Sequence, residues 1–298
     1  MRKLAVVIVN YKAGDILQDC LEALVRPQTN LDMEIWVVDN ASGDGSPAMI
    51  KKKFAQVKLI ENSSNLGYAK ANNIALKQID AEYVLLLNPD CVVDENTIFF
   101  MLGFMDKYPK VGASTCLVVL ADGQIDWACH RGFPSPWAAL TYFFGLERQF
   151  PRAKLLSQYH QTYKNLNEIH EIDSPSGAFF LIRKQVIDQV GFLDEDYFMY
   201  GEDIDWSFRV KQAGWRIMYI PEVKATHYKG ISSGIKQHSQ EQSTADDETK
   251  VRSTKAFYEA MKIFYRKHYH SRYFFLVNWL VYLAIDYKLK KALSEIRN

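Results

Sequence analysis

Four short apolar runs, spaced by segments of helical periodicity, constrain this chain more than any other feature. They are LAVVIV (4–9), EIWVVD (34–39), VKLIEN (57–62) and YVLLLN (83–88). Unbroken runs of Val, Ile and Leu fit strands buried on both faces, as in a parallel sheet. Between them, Ile16, Leu17, Cys20, Leu21 and Leu24 form one apolar stripe at helical spacing. Ala71, Ile74, Ala75 and Ile79 form another. Such alternation predicts βαβ units in an α/β fold, with ligands at the carboxyl ends of the strands. A chain of 298 residues can build one large domain of this kind or two modest ones.

The formal charge is +1, so nothing global points to nucleic acid, and local clusters must carry any electrostatics. Cys20, Cys91, Cys116 and Cys129 show neither a C-x-x-C pair nor zinc spacing, and are read as buried thiols in a reducing compartment. The first apolar run is shorter than the ~7–15 residues of a secretory core and is read as the first strand of a cytoplasmic domain.

Regular patterning fails from about 122 to 172, where WACHRGFPSPWAALTYFFGLERQFPRAK mixes aromatics, prolines and bases. It returns with AFFLIRKQVIDQV (178–190), a helix starting near 201 and the strand-like RIMYIP (216–221). A polar stretch from about 229 to 250 is read as a mobile loop. Segment 252–268 is helical by pattern, with Phe257, Tyr258, Met261, Phe264 and Tyr265 on one face. The tail YFFLVNWLVYLAI (273–285) is flanked by Arg266, Lys267 and Arg272 on one side and Lys288, Lys290 and Lys291 on the other. A membrane span needs ~20 apolar residues, so this element either lies in a membrane interface or packs on protein.

No G-x-G-x-x-G follows a strand and no P-loop is present, which weakens dehydrogenase and kinase readings. Polar residues stand instead where strands end. Asn10 follows the first strand. Asp39 and Asn40 follow the second, where an acid can accept from a ribose hydroxyl or close an Asx turn. Asn65 and Gly67 suit a tight turn before a helix whose N–H groups can meet a nucleotide. In LLLNPDCVV, Asn88 and Asp90 can hold a divalent cation that bridges a diphosphate, or can simply make a turn. In YGEDIDWSFR (200–209), Asp205 sits four residues before Arg209 and is expected to pair with it. That leaves Glu202 and Asp203 to cap the helix or to take a proton from an attacking hydroxyl. His227 is either structural or completes a metal site beside a diphosphate.

In this order, VIVNYK (7–12), VVDNAS (37–42), NLGYAKANN (65–73), LLLNPD (85–90), SGAFFLIRK (176–184), YGEDIDWSFR and THYKGISSG (226–234) closely resemble the family 2 inverting glycosyltransferases. RGFPSPWAAL (131–140) resembles their rhamnosyltransferase branch. The resemblance implies a GT-A fold, a Rossmann-like, mostly parallel mixed sheet flanked by helices. It implies a catalytic domain over 1–250, with a nucleotide-sugar half to about 120 and an acceptor half beyond it. Residues 251–298 would form a helical extension. Asn10, Asp39, Asn40, Asn65, Gly67 and Asp90 would bind the donor, a dTDP- or UDP-sugar, with rhamnose favoured. Asp90 and His227 would hold Mg²⁺ or Mn²⁺. Asp203 would be the catalytic base. Glu202, Trp206 and Gly177 would meet the acceptor, a glycan or lipid-linked saccharide of surface polysaccharide synthesis at the inner membrane face. Two departures stand out: Asn88 occupies a place where many relatives have Asp, and Ser174-Pro175 one where an aromatic is frequent.

Two other classes compete. A sugar-1-phosphate nucleotidyltransferase needs a Gly-rich basic N-terminal loop, and NYKAGDIL offers only Lys12. A non-catalytic glycan- or membrane-binding module would explain Asn88 but not Asp90, Asp203 and His227 together.

Overall fold

The computed structural model describes residues 2–25, 31–228 and 247–297. In chain order, β1 (Arg2–Asn10), α1 (Asp15–Val25), β2 (Met33–Asp39), α2 (Ser46–Lys53), β3 (Lys58–Glu61), α3 (Tyr68–Leu76) and β4 (Ala81–Leu87) build the predicted βαβ half. There follow β5 (Cys91–Val93), α4 (Thr97–Lys107), β6 (Val111–Leu120), α5 (Pro136–Phe143), α6 (Leu146–Gln149) and β7 (His170–Glu171). The chain continues through β8 (Phe179–Arg183), α7 (Lys184–Val190), α8 (Glu202–Gln212), β9 (Arg216–His227), α9 (Asp247–His268) and α10 (Phe275–Arg297).

Among the described residues, nine strands join one sheet in the order β3-β2-β1-β4-β8-β6-β9-β5, with β7 on β9. β1 to β4 are mutually parallel, β8 runs against both β4 and β6, and β9 is parallel to β6. Six strands therefore share a direction, and their carboxyl ends form one edge. Leu4 to Ile8 and Val84 to Leu87 are essentially inaccessible, as buried parallel strands require. VKLIEN departs from that expectation. β3 is the last strand at its side of the sheet, and Lys58 and Glu61 are exposed. An edge strand needs only partial apolar cover, and its charges discourage pairing with another chain.

The expected stripe of α1 is buried through Leu17, Cys20, Leu21 and Leu24, and all four cysteines are buried thiols outside any disulfide. α8 sits between two cores. Trp206 and Val210 enter the main core, while Ile204 and Phe208 join Ala260, Ile263, Phe264 and Tyr265 of α9 in a second one. Covered on two faces, α8 holds its amino-terminal acids on a rigid support. Asp205 accepts from Arg209 Nε at 2.8 Å, the expected pair, and also from His268 Nε2 of α9 at 2.7 Å. α10 packs on α9 through Val281, Tyr282 and Asn278, whose Oδ1 accepts from Tyr265 Oη at 2.6 Å. Its other side exposes Phe275, Leu276, Trp279, Leu280 and Leu283.

Gly67 enters α3 with φ +84°, and a Cβ there would lie 2.3 Å from the Phe198 carbonyl oxygen. The next amide, Tyr68 N, donates to that carbonyl at 2.7 Å, docking α3 against the loop that leads into α8. Gly67→Ala combines an unfavourable backbone region with a backbone clash. It is expected to cost about 2–3 kcal/mol, measured by urea denaturation. An unchanged midpoint would mean that this approach is not rigid.

Candidate active site

The common strand direction delivers the predicted donor residues to one edge. Asn10 and Asp39 end β1 and β2 in direct register. Asn10 Nδ2 donates to Asp39 Oδ1 at 2.7 Å and to Ser42 Oγ at 2.9 Å. Ser42 N and Oγ both donate to the Asp39 carboxylate, at 3.0 and 2.6 Å. Asp39 thus closes the turn after β2, and Ser42, not singled out in the sequence, is the residue that locks it. Asn40 Nδ2 donates to the Gly67 carbonyl at 3.1 Å, and Asn65 Oδ1 accepts from Gly67 N at 2.9 Å. The strand ends and the α3 turn are one hydrogen-bonded unit. A cleft of about 530 Å³ opens beside it, between the β1–α1 turn at Lys12 to Asp15 and Tyr228.

Asp90 stands just before β5, and β5 runs antiparallel to β9 with Cys91 opposite His227. That pairing brings together two residues 137 positions apart: His227 Nε2 lies 3.1 Å from Asp90 Oδ1. The Asn88 amide is 3.3 Å from the same nitrogen. On the other side of the ring, His227 Nδ1 lies 2.9 Å from Asp126 Oδ2, a contact no motif announces. Burial opposes protonation of His227, but the Asp90 and Asp126 carboxylates outweigh it and raise its pKa to about 9. Among the described residues, no group of three or more His, Cys, Asp or Glu forms a self-sufficient metal centre. One carboxylate oxygen, one imidazole nitrogen and a nearby amide are still a donor set that suits a hard divalent ion completed by substrate phosphates. The residues present fit a diphosphate-bound cation.

The acceptor-side candidates gather at the start of α8. Asp203 Oδ2 accepts from Arg131 Nη2 at 2.8 Å and from Gly177 N at 3.3 Å. Its Oδ1 accepts from Ile204 N at 2.8 Å and keeps lone-pair capacity for a further donor. Arg131 also donates to the Pro175 carbonyl at 2.6 Å. Tyr68 Oη donates to the Gly177 carbonyl at 3.2 Å, so α3 reaches this group too. The Tyr68 hydroxyl is raised by burial and then by the charges of Glu202, Asp203 and Asp90.

Trp206 is a correction. It is fully buried, with Nε1 donating to the Gly191 carbonyl at 2.8 Å and its ring 5.4 Å from that of Phe180. Three residues on from Asp203, Trp206 stands on the same side of α8, but its indole is wholly enclosed in the main core and leaves no surface for a saccharide. The loop expected from about 229 to 250 lies outside the described residues as far as 246, and 247–250 already belong to α9.

Glu202 is buried with Oε2 lacking a hydrogen-bond partner. Burial, reinforced by Asp203 and opposed by Arg131, lifts its carboxyl to about 8. An ordinary glutamate loses its proton near 4.5, so the folded chain holds the proton to higher pH than the unfolded one. The resulting stability is present below that lower value and is lost as pH rises through the higher one. His227 acts in the same direction, over a window that ends near 9. Glu202→Gln is expected to flatten the decline in melting temperature between about pH 5 and 8, leaving the His227 part. Parallel wild-type and variant curves across that range would show that Glu202 is ionised in the fold.

Comparison with known proteins bears on this geometry. Residues 5–191 match the profile of Glycosyl transferase family 2. The chain is 31% identical over 247 residues to N-acetylglucosaminyl-diphospho-decaprenol L-rhamnosyltransferase of Mycobacterium tuberculosis (strain ATCC 25618 / H37Rv), covering 78% of each chain. It is 27% identical over 172 residues to rhamnosyltransferase WbbL of Escherichia coli (strain K12), covering 54% of this chain and 61% of that one. Among solved structures, its fold is similar to mannosyltransferase PcManGT from Pyrobaculum calidifontis in complex with GDP-Man and Mn²⁺. That likeness has a TM-score of 0.59 at 15% identity over 99% of this chain and 73% of the other. A mostly parallel sheet, the order of its strand-end residues and a profile match over most of the chain converge on one assignment: this protein belongs to the family 2 glycosyltransferases, with the rhamnosyltransferases among its relatives.

Proposed function

We propose that the protein is an inverting glycosyltransferase that moves a sugar, with rhamnose from dTDP-rhamnose favoured, onto a hydroxyl of a lipid-linked saccharide in surface polysaccharide synthesis. The observation that carries this reading is the separation of charge into two clusters, one at the strand ends and one at the start of α8. Asp90 and His227 stand on the strand-end side, and Glu202 and Asp203 at the start of α8. An inverting transfer asks for that division: neutralisation where the nucleoside diphosphate leaves, and a base where the acceptor hydroxyl enters from the opposite face.

In this reading, Asn10, Asp39, Asn40, Asn65 and Gly67 shape the nucleoside side of the donor site. Asp90 and His227 would hold Mg²⁺ or Mn²⁺, which when bound supplies positive charge to the departing diphosphate. Asp203 Oδ1 takes the proton of the acceptor hydroxyl as its oxygen bonds to C1 and the bond from C1 to the diphosphate oxygen breaks. Arg131 and the Gly177 amide hold Oδ2, so the carboxylate presents one oxygen rather than rotating. Glu202, protonated near neutral pH, can donate a hydrogen bond to an acceptor oxygen from beside the base. The family assignment leaves the nucleotidyltransferase reading without support. The relatives' names motivate the sugar and the lipid-linked acceptor, and the Mycobacterium tuberculosis relative is named for transfer of L-rhamnose to N-acetylglucosaminyl-diphospho-decaprenol.

The outer side of α10 fits a membrane surface at the cytoplasmic face. Phe274, Phe275, Trp279, Leu280 and Leu283 are exposed, with Arg272 before them and Lys288, Lys290 and Lys291 after. Among the described residues no helix is long and apolar enough to cross a membrane, so contact would be interfacial. Such a face would bring the acceptor's lipid carrier to the enzyme.

Two outcomes follow. Asp203→Asn should lower sugar transfer from dTDP-rhamnose to a polyprenyl-diphospho-N-acetylglucosamine acceptor about 10²–10⁴-fold while nucleotide binding persists. A full transfer rate in a folded variant would remove Asp203 as the base. Trp279→Glu combined with Leu283→Glu should weaken co-sedimentation with vesicles rich in phosphatidylglycerol by about 10-fold or more. Unchanged partition would assign the exposed face to another contact.

A further inference from the structure

The segment Asp126–Arg131 lies in the stretch where sequence patterning failed, yet its two ends reach both halves of the site. We propose that it is a positioning strut for the reaction: Asp126 fixes His227 on the leaving-group side, and Arg131 fixes Asp203 on the base side. The inference rests on the roles proposed above for His227 and Asp203 and extends them to residues that no motif assigned.

The Asp126 end is held from four directions. Its amide donates to the Val118 carbonyl of β6 at 2.9 Å, and its carbonyl accepts from Cys129 N at 2.9 Å. Oδ1 accepts from Ala128 N at 3.1 Å, capping the 3₁₀ turn Trp127–Cys129. Oδ2 faces His227 Nδ1 at 2.9 Å. The carboxylate cannot turn without giving up the cap. The imidazole is thereby pinned at both nitrogens, Nδ1 by Asp126 and Nε2 toward Asp90. A carboxylate behind Nδ1 sets the ring's orientation and favours the tautomer that leaves Nε2 free to act as a ligand.

The Arg131 end is held as firmly. Arg131 N donates to the Ser174 carbonyl at 3.2 Å and its carbonyl accepts from Ser174 N at 2.9 Å. Gly132 N donates to the Tyr159 carbonyl at 2.6 Å, and a Cβ on Gly132 would lie 2.1 Å from the Gln158 carbonyl oxygen. Only a glycine lets the backbone lie that close. Between the two ends, His130 is fully buried with Nδ1 2.8 Å from the His160 carbonyl. From this base the guanidinium spans to Pro175 and Asp203, while its Nε stays buried without a partner.

Stability alone does not explain the Arg131–Asp203 pair. Desolvating two charges costs several kcal/mol per ion, and apolar residues of similar volume often serve a fold as well or better. An unsatisfied buried N–H adds a further cost of about 1–3 kcal/mol. What the pair supplies is a carboxylate whose Oδ2 is fixed, while Oδ1, which accepts from Ile204 N, keeps a lone pair for the acceptor hydroxyl. Six residues of one rigid segment, Asp126 to Arg131, thus connect the two groups whose relative placement governs an in-line displacement. A misplacement on the order of 1 Å at such a centre costs about 10²-fold in rate.

The test measures two properties on one set of proteins. Mn²⁺ binding is followed by electron paramagnetic resonance with dTDP or UDP present, and kcat and KM are measured for dTDP release from dTDP-rhamnose. Asp126→Asn is expected to weaken Mn²⁺ binding in the ternary complex about 10–100-fold while metal-free nucleotide affinity stays at the wild-type level. Asp126→Glu, which keeps the carboxylate, should recover part of that loss. Arg131→Lys should retain Mn²⁺ binding and donor KM while kcat falls about 10–100-fold. Wild-type Mn²⁺ binding by Asp126→Asn, or wild-type kcat in Arg131→Lys, overturns the inference. So does joint loss of both properties in either variant together with a lowered melting temperature, the mark of a purely structural role. The underlying reading fails separately: it falls if nucleotide binding by the wild-type protein ignores Mn²⁺ and His227→Ala has no effect.

Discussion

Strand direction is the constraint on which the rest depends. β1, β2, β3, β4 and β9 deliver their carboxyl ends to one edge of the sheet, and every donor-side candidate is at or just beyond such an end. The short antiparallel β5 then returns from Asp90 along β9, placing a carboxylate from the first half of the chain against an imidazole from the second. A one-residue slip in that pairing would turn Asp90 or His227 to the other face of the sheet. Neither residue's neighbourhood could survive such a slip, because Asp126 approaches from a third element.

Charge is handled differently on the two sides. On the strand-end side, two carboxylates share one histidine, whose raised affinity for a proton balances them. A divalent ion would take over that balancing. On the α8 side, one arginine serves Asp203, while Glu202 accommodates the adjacent charge by keeping its own proton near neutrality. Asp205 belongs to neither side. Burial disfavours its charge, but His268 and Arg209 outweigh that and hold its carboxyl below the usual range. The three acids that crowd YGEDIDWSFR thus have separate partners: an arginine from a distant loop, a proton, and a bidentate cradle of Arg209 and His268.

What the sequence revealed follows how locally each feature is encoded. Strands β1, β2 and β4 and helices α1 and α3 were legible because burial on a sheet imposes unbroken apolar runs, and helix packing imposes stripes. Asp205–Arg209 was legible as an i,i+4 pair. β6 escaped notice because Gly112, Ser114 and Thr115 interrupt its apolar run, although Ser114 and Thr115 are fully buried. Trp206 was misplaced because a motif shows that an aromatic follows the acids, not whether its side chain reaches the surface or is buried in the core. Asp126 and Arg131 were invisible as site residues for a different reason. Their partners lie 101 and 72 positions away, and the segment between them carries no periodicity that would announce its contacts.

The central claim is that the strand-end edge binds a nucleoside diphosphate through a cation held by Asp90 and His227. Calorimetric titration of the purified protein with dTDP, UDP and GDP, each with and without Mn²⁺, tests it most directly. The account predicts that one of these nucleotides, dTDP first, binds in Mn²⁺ and loses most of its affinity when the ion is removed. Absence of binding by all three under every condition, or affinity indifferent to Mn²⁺, would contradict it.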